Sequence, residues 1–371
     1  MNSSRLETDD DFIRLALGLA EQGRGSVEPN PMVGCVIVRD NQVIGEGYHQ
    51  RFGGPHAEVH ALRSVGDARG ATAYVTLEPC CHHGKTPPCS DALISAGVKR
   101  VVVAMADPFE QVDGGGLTQL QNAGIETRVG VLEQDARELN AAYLKRLQTG
   151  RPFTIAKWAM TVDGRIATST GQSKWISNEA SRADVHQLRG RVDAIAVGMG
   201  TVIADDPMLT ARPSGVRTAT RVVFCAKRLP SPRSRLIQSA KDVPVLLIVS
   251  PSIEQTDVAE LVQLGVSVYR CASDNSVEMI HQALDFMGSQ SMTNIMIEGG
   301  GALMASFLEA DAIDQYDVYV GAKVFGGRNA LGPVAGDGFS SVAEAANLQL
   351  VSLQRLGEND VKLVYRKAQR D

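Results

Sequence analysis

Two α/β domains are predicted for this 371-residue chain, from three observations. Candidate strands and helices alternate through both halves, the pattern of folds in which helices cover a sheet. The length exceeds the roughly 100–200 residues of one ordinary domain. A polar segment, Gln148-Thr149-Gly150-Arg151-Pro152, interrupts the alternation. The expected domains are therefore residues 1–150 and 151–371.

In the first half, residues 9–22 place Phe12, Ile13, Leu15, Ala16, Leu19 and Ala20 at helical spacing behind an acidic start. Residues 32–39 form a β-branched run, so a buried strand, and Asn41-Gln42 turns the chain into a second strand at 43–48. A helix is expected at 56–65, a strand at 72–77, a helix at 90–96 stopped by Gly97, and a strand at 100–106. Helices follow at 117–123 and 133–147. The second half opens with a strand at 153–161. Further strands are expected at 194–197, 221–224, 245–249, 266–269, 294–297 and 316–320, and helices at 179–189, 277–287 and 302–309.

Composition excludes several classes. The chain is 44% hydrophobic and 21% charged, so it can bury a core. Its net charge of −5 argues against a nucleic-acid binder, including a deaminase that acts on tRNA. No uncharged apolar run is long enough to cross a membrane. The polar, acidic N-terminus lacks the features of a secretory signal, so a cytoplasmic location is expected.

The cysteines and histidines cluster. Cys80, Cys81 and Cys89 lie close together, and five of the seven histidines fall between His49 and His83. In a chain without a secretory signal this reads as a metal site. His56-Ala57-Glu58, then Glu78-Pro79-Cys80, then Cys89 provide one imidazole and two thiolates, which suits zinc with an open fourth position. Glu58 is then the proton shuttle and not a ligand. His56 and Glu58, two apart, can face one centre only at the mouth of a helix. Cys81 could replace Cys80, although Pro79 precedes Cys80. With His82 or His83 as a fourth ligand the site would be structural.

The motifs resemble a known family. Pro29-Asn30-Pro31-Met32-Val33-Gly34, Gly47-Tyr48-His49, His56-Ala57-Glu58 and the segment from Thr76 to Cys89 resemble the riboflavin-biosynthesis deaminases. Lys157-Trp158-Ala159-Met160-Thr161-Val162-Asp163-Gly164-Arg165, Ala204-Asp205-Asp206-Pro207 and Glu298-Gly299-Gly300-Gly301 resemble the reductase fused to them. The resemblance covers nearly the whole chain. It implies a cytidine-deaminase-like α/β/α sandwich followed by a dihydrofolate-reductase-like α/β domain.

The resemblance further implies hydrolytic deamination of 2,5-diamino-6-(5-phosphoribosylamino)pyrimidin-4(3H)-one, then NADPH-dependent reduction of the ribosyl group. In it, His56, Cys80 and Cys89 hold zinc and Glu58 moves the proton, while Asn30, His49, His82 and Lys85 contact the pyrimidine or its ribose phosphate. Ala159, Trp175, Thr201 and Asp205, with Gly300, Gly301, Ala302, Leu303, Met304, Ala305 and Ser306, receive NADPH. Ser173, Arg189, Leu209, Arg212 and Glu298 hold the second substrate. The family also implies a homo-oligomer, a dimer or tetramer. Without the resemblance, the second half carries only Glu298-Gly299-Gly300-Gly301 between a strand and a helix, a weak phosphate signal. A non-catalytic scaffold is the alternative for that half. Cys225-Ala226-Lys227 stands where the family commonly carries an acidic residue.

Overall fold

The computed structural model describes residues 7–82, 87–109, 112 and 114–368. They divide into two compact units, 1–149 and 150–371.

The first unit is built on a five-stranded sheet in the order β2-β1-β3-β4-β5. Its strands are β1 (Gly34–Arg39), β2 (Gln42–Tyr48), β3 (Thr72–Val75), β4 (Arg100–Val103) and β5 (Glu126–Val129). β1 runs antiparallel to β2 and β3, whereas β3, β4 and β5 are parallel. Alternate residues of β1 explain the three layers. Cys35 and Ile37 pack with Ala57, Ala61, Leu93 and Leu120, from helices α2 (Ala57–Arg63), α3 (Cys89–Ser95) and α4 (Gly115–Asn122). Val36 and Val38 pack with Phe12, Ala136 and Leu144, from α1 (Asp9–Glu21), α5 (Glu133–Leu139) and α6 (Ala141–Thr149). Helix α2 lies close on β2 because Gly47 has no side chain: a Cβ there would stand 2.4 Å from the Ala61 nitrogen.

The single helix expected at 133–147 is two. It breaks at Asn140, whose side chain accepts from the Met32 N–H (2.8 Å) and donates to the Met32 carbonyl (3.0 Å). The same bonds hold Met32 out of β1, which begins at Gly34. Strand β5 is absent from the sequence reading. Its residues Glu-Thr-Arg-Val are mostly exposed, so they carry no apolar alternation.

The second unit holds a nine-stranded sheet, β10-β9-β8-β7-β11-β6-β12-β14-β13. Its parallel strands are β6 (Phe153–Thr161), β7 (Ala194–Gly198), β8 (Thr220–Cys225), β9 (Val245–Val249), β10 (Ser267–Arg270), β11 (Asn294–Glu298) and β12 (Gln315–Gly321). β13 (Leu348–Leu356) and β14 (Asp360–Lys367) add an antiparallel edge. Helices α11 (Ser276–Ser289) and α12 (Gly301–Glu309) cover one face, burying Met279, Leu284, Met304 and Phe307 on the strands. Helix α7 (Glu179–Arg189) matches its expected span, with Asn178 as N-cap accepting from Ser181 N–H. Among the described residues, α8 (Met199–Asp205), α9 (Arg235–Gln238), α10 (Gln255–Gln263), a short 3-10 turn at Val342–Glu344, β13 and β14 are additions to the sequence reading. Because the core strands are parallel, their C-terminal ends open on one edge, where α/β sheets bind ligands.

Candidate active sites

In the first unit His56 is the N-cap of α2, in extended conformation. Its ring therefore turns back across the helix mouth, and Glu58 sits in the first turn. Helix α3 begins at Cys89, one residue earlier than expected, and its start grips the metal loop. Ser90 donates to the Cys80 carbonyl from its N–H (3.2 Å) and its hydroxyl (2.9 Å). The Cys89 N–H donates to the Cys80 sulfur at 3.3 Å.

The His56 Nδ1 lies 3.2 Å from Cys89 Sγ and 3.5 Å from Cys80 Sγ. Among the described residues, these three form the one His/Cys/carboxylate group close enough to hold a metal, all donor atoms within 4.8 Å of one another. Tetrahedral zinc, with bonds of about 2.3 Å to sulfur and about 2.0 Å to nitrogen, requires a nitrogen–sulfur edge of about 3.6 Å. The donors fit zinc in number, type and spacing. Cys81 is outside this group.

Glu58 is buried, and among the described residues its Oε2 has no hydrogen-bond partner. Burial raises its pKa and the Cys80 thiolate adds to that, against His56. The Cys89 thiol and then His56 hold the Cys80 thiol well below its ordinary range, which favours the thiolate. A carboxyl with one open oxygen beside a thiolate–imidazole donor set can carry a proton.

Asn30 and His49 come together beside this centre. The His49 Nδ1 donates to the Pro55 carbonyl (3.0 Å), which leaves Nε2 to accept from Asn30 Nδ2 (3.3 Å). The His49 ring meets His56 edge-on at 5.3 Å. His82 is half-buried, 6.3 Å from the Phe109 ring, and among the described residues its Nδ1 has no partner. Lys85, like His83, lies outside the described residues. The sequence reading missed Glu78. Its buried carboxylate accepts from the N–H groups of Asp107, Gly114, Gly116 and Leu117 and clamps that loop to the metal segment. Its adjacency to Pro79-Cys80 was the available signal.

In the second unit a cleft of about 640 Å³ opens beside β6 and α7. It is lined by Ala159, Ser173, Trp175, Arg189, Asp205, Leu209 and Arg212, all expected from the sequence. Lys157, Lys174, Arg182, His186 and Arg235 line it as well. Arg182, His186 and Arg189 fall at helical spacing on α7, a pattern the sequence contained. Arg182 stacks on Trp175, 4.6 Å from the ring centre.

Glu298 does not open freely into the cleft. Arg189 grips its carboxylate with two bonds (2.6 and 2.7 Å), and Lys157 lies 3.5 Å away. Burial raises the Glu298 pKa, but Lys157 and Arg189 outweigh it and hold the carboxyl at about 2. Thr201 and residues 300–306 form a separate group. The Thr201 hydroxyl accepts from Gly300 N–H at 2.9 Å. Gly299 has φ 105°, and a Cβ there would stand 2.3 Å from that hydroxyl. Glycines before a helix let its first free N–H groups meet a phosphate; the Gly300 N–H is taken by Thr201, so Gly301 and Ala302 are the ones that fit a dinucleotide. Leu303, Met304 and Ala305 are buried, Met304 completely. Their side chains serve the core, and the Leu303 and Met304 N–H groups are bonded to the Gly300 carbonyl, so this stretch offers a ligand little beyond Ser306.

Comparisons with known proteins agree with this layout. The sequence model for the cytidine and deoxycytidylate deaminase zinc-binding region matches residues 6–105, and that for the RibD C-terminal domain matches residues 152–362. The chain is 42% identical over 367 residues to the riboflavin biosynthesis protein RibD of Actinobacillus pleuropneumoniae, covering 98% of this chain and 96% of the relative. The chain belongs to the RibD family. A RibD structure from Acinetobacter baumannii superposes with a TM-score of 0.83 at 38% identity, covering 97% of this chain and 99% of that one. A Thermotoga maritima structure described as a diaminohydroxyphosphoribosylaminopyrimidine deaminase/5-amino-6-(5-phosphoribosylamino)uracil reductase gives 0.83 at 34% identity with the same coverage. The RibD fold here is thus a cytidine-deaminase-like domain followed by a reductase domain. Among the described residues no helix is long and apolar enough to cross a membrane.

Proposed function

We propose that this chain is a bifunctional enzyme of riboflavin biosynthesis. Residues 1–150 deaminate 2,5-diamino-6-(5-phosphoribosylamino)pyrimidin-4(3H)-one by hydrolysis. Residues 151–371 reduce the resulting 5-amino-6-(5-phosphoribosylamino)uracil to the ribitylamino phosphate with NADPH. The observation that carries the reading is the donor set His56, Cys80 and Cys89 beside the half-free Glu58 carboxyl, in one chain with the cationic cleft.

His56, Cys80 and Cys89 would hold zinc, which when bound would supply a water whose pKa is lowered to about 7. Glu58 takes a proton as the C–O bond forms and returns it to the amino group as the C–N bond breaks, so water enters and ammonia leaves. Asn30, His49 and His82, with Lys85, contact the pyrimidine or its ribose phosphate. In the second unit NADPH supplies the hydride. Ala159, Trp175, Thr201, Asp205 and the segment 300–306 seat it. Ser173, Leu209 and Arg212 hold the phosphoribosyl substrate. Arg212 suits the phosphate better than Arg189, whose guanidinium is already engaged by Glu298. Free cysteines and a thiolate donor set fit a reducing compartment, which supports the cytoplasm.

The test is NADPH oxidation on adding the diaminopyrimidine ribotide to zinc-loaded protein. Consumption after a lag is expected, with ammonia released first. Ammonia without NADPH consumption would leave the second unit as a scaffold.

We also propose that the protein is a homo-oligomer. Strand β13 is the sheet edge and exposes Leu348, Leu350, Val351 and Leu353. Natural proteins cover or charge such edges. The double variant Leu350→Lys/Leu353→Lys is expected to sediment as a monomer, and the parent chain as a dimer or tetramer. A monomeric parent chain would end the idea.

A further inference from the structure

Arg221 lies in β8 with no accessible surface. Among the described residues no carboxylate pairs with it, and burial pushes its pKa down to about 10. A buried cation without a counter-ion is costly unless its donors are used. Here they are. Nη1 donates to the Met208 carbonyl (3.3 Å) and the Ser239 hydroxyl (2.8 Å), and Nη2 to the carbonyls of Ser239 (3.1 Å) and Val243 (2.6 Å). Three of these four acceptors are main-chain carbonyls.

The Met208 bond matters for the cleft. Pro207, Met208, Leu209 and Thr210 form part of its wall. That wall does not hold itself. Asp206 (φ 38°) and Leu209 (φ 52°) are both in the left-handed region, which disfavours side-chain-bearing residues. Such a backbone persists only where its surroundings impose it. Three contacts do so. The Arg235 N–H, at the start of α9, donates to the Asp206 carboxylate (2.9 Å). Arg189 reaches the Thr210 carbonyl from the cleft side (3.4 Å). Arg221 holds the Met208 carbonyl between them from inside the core, and through Ser239 and Val243 ties it to the turn that ends α9.

We infer that Arg221 is a positioning residue for the second active site: from the core, it fixes the 206–210 wall against which the phosphoribosyl substrate binds. This rests on the cleft being the reductase site. Arg221 touches no ligand itself, so its loss acts through substrate binding and not through hydride transfer.

The experiment supplies 5-amino-6-(5-phosphoribosylamino)uracil directly and follows NADPH oxidation by the full-length Arg221→Met and Arg221→Lys variants. Both tryptophans, Trp158 and Trp175, lie in the second unit, so native emission reports that this unit has folded. Binding of NADPH alone is read by quenching of the same emission. For Arg221→Met, KM for the uracil substrate is expected to rise about tenfold or more, with kcat and NADPH affinity within about threefold of the parent chain. Arg221→Lys keeps the charge without the fork and should fall between. Deamination should be unchanged in both. A variant with native emission, a lowered melting temperature and an unchanged KM would show a purely structural role and overturn the inference, as would a fall in kcat at constant KM. If Arg221→Met does not fold, Arg221→Lys decides by the same criterion. Failure of the parent chain to oxidise NADPH would instead reject the reductase reading.

Discussion

Glu58→Gln is expected to cut ammonia release from the diaminopyrimidine by a factor on the order of 10²–10⁴, with bound zinc unchanged. The amide keeps the size of the side chain but cannot shuttle a proton. The metal donors on His56, Cys80 and Cys89 do not depend on it. NADPH oxidation should survive when the deaminated intermediate is supplied directly, because Glu58 belongs to the first unit alone. Metal analysis beside the ammonia assay reads both halves. Loss of zinc would make Glu58 a ligand, and retention of full turnover would remove it from the chemistry.

The second large effect is expected at Glu298. Its carboxylate is buried and balances Arg189 and Lys157. Glu298→Gln leaves two half-buried cations facing a neutral amide. Breaking a buried pair from one side typically costs about 3–5 kcal/mol. The urea midpoint followed by tryptophan emission should fall accordingly, and the uracil KM should rise. The parent chain makes a linked prediction in pH. The carboxyl falls from its ordinary 4.5 to about 2 on folding. A lowered pKa contributes stability above the unfolded value, here about 3 kcal/mol. That contribution is lost as pH drops from about 4.5 towards 2. In Glu298→Gln this part of the acid sensitivity should disappear. An identical acid dependence in both proteins would show that the ion triad adds nothing to stability.

Much of the chain was legible because its signals are local. The spans of β6, β9 and α7 follow from continuous apolar runs or helical spacing within one element. The missed elements lack such a signal. Strand β13 contains an irregularity between Leu350 and Ser352 that breaks its two-residue alternation. Helix α9 is only four residues long. The helix expected at 133–147 breaks because Asn140 is recruited by Met32, 108 residues away.

The sequence by itself pointed to a zinc donor set in the first half, while leaving open Cys80 or Cys81 as ligand and a structural fourth ligand. One imidazole, two thiols and a carboxyl in H-x-E and P-C order define a zinc donor set whatever the exact loop path, because ligand type is a property of the side chain. It also determined that both halves are α/β. The tertiary structure decided what those groups can do. Folding returns Cys89 to within 3.2 Å of His56, 33 residues away, and leaves one oxygen of Glu58 open. It pairs Lys157 with Glu298 across β6 and β11, and brings Arg189 to them from α7. It also places Arg221 beneath the cleft wall. Periodicity reports which face of one element is buried. It does not report which residue of another element will meet that face, and hydrogen bonds and ion pairs at close range depend on that meeting.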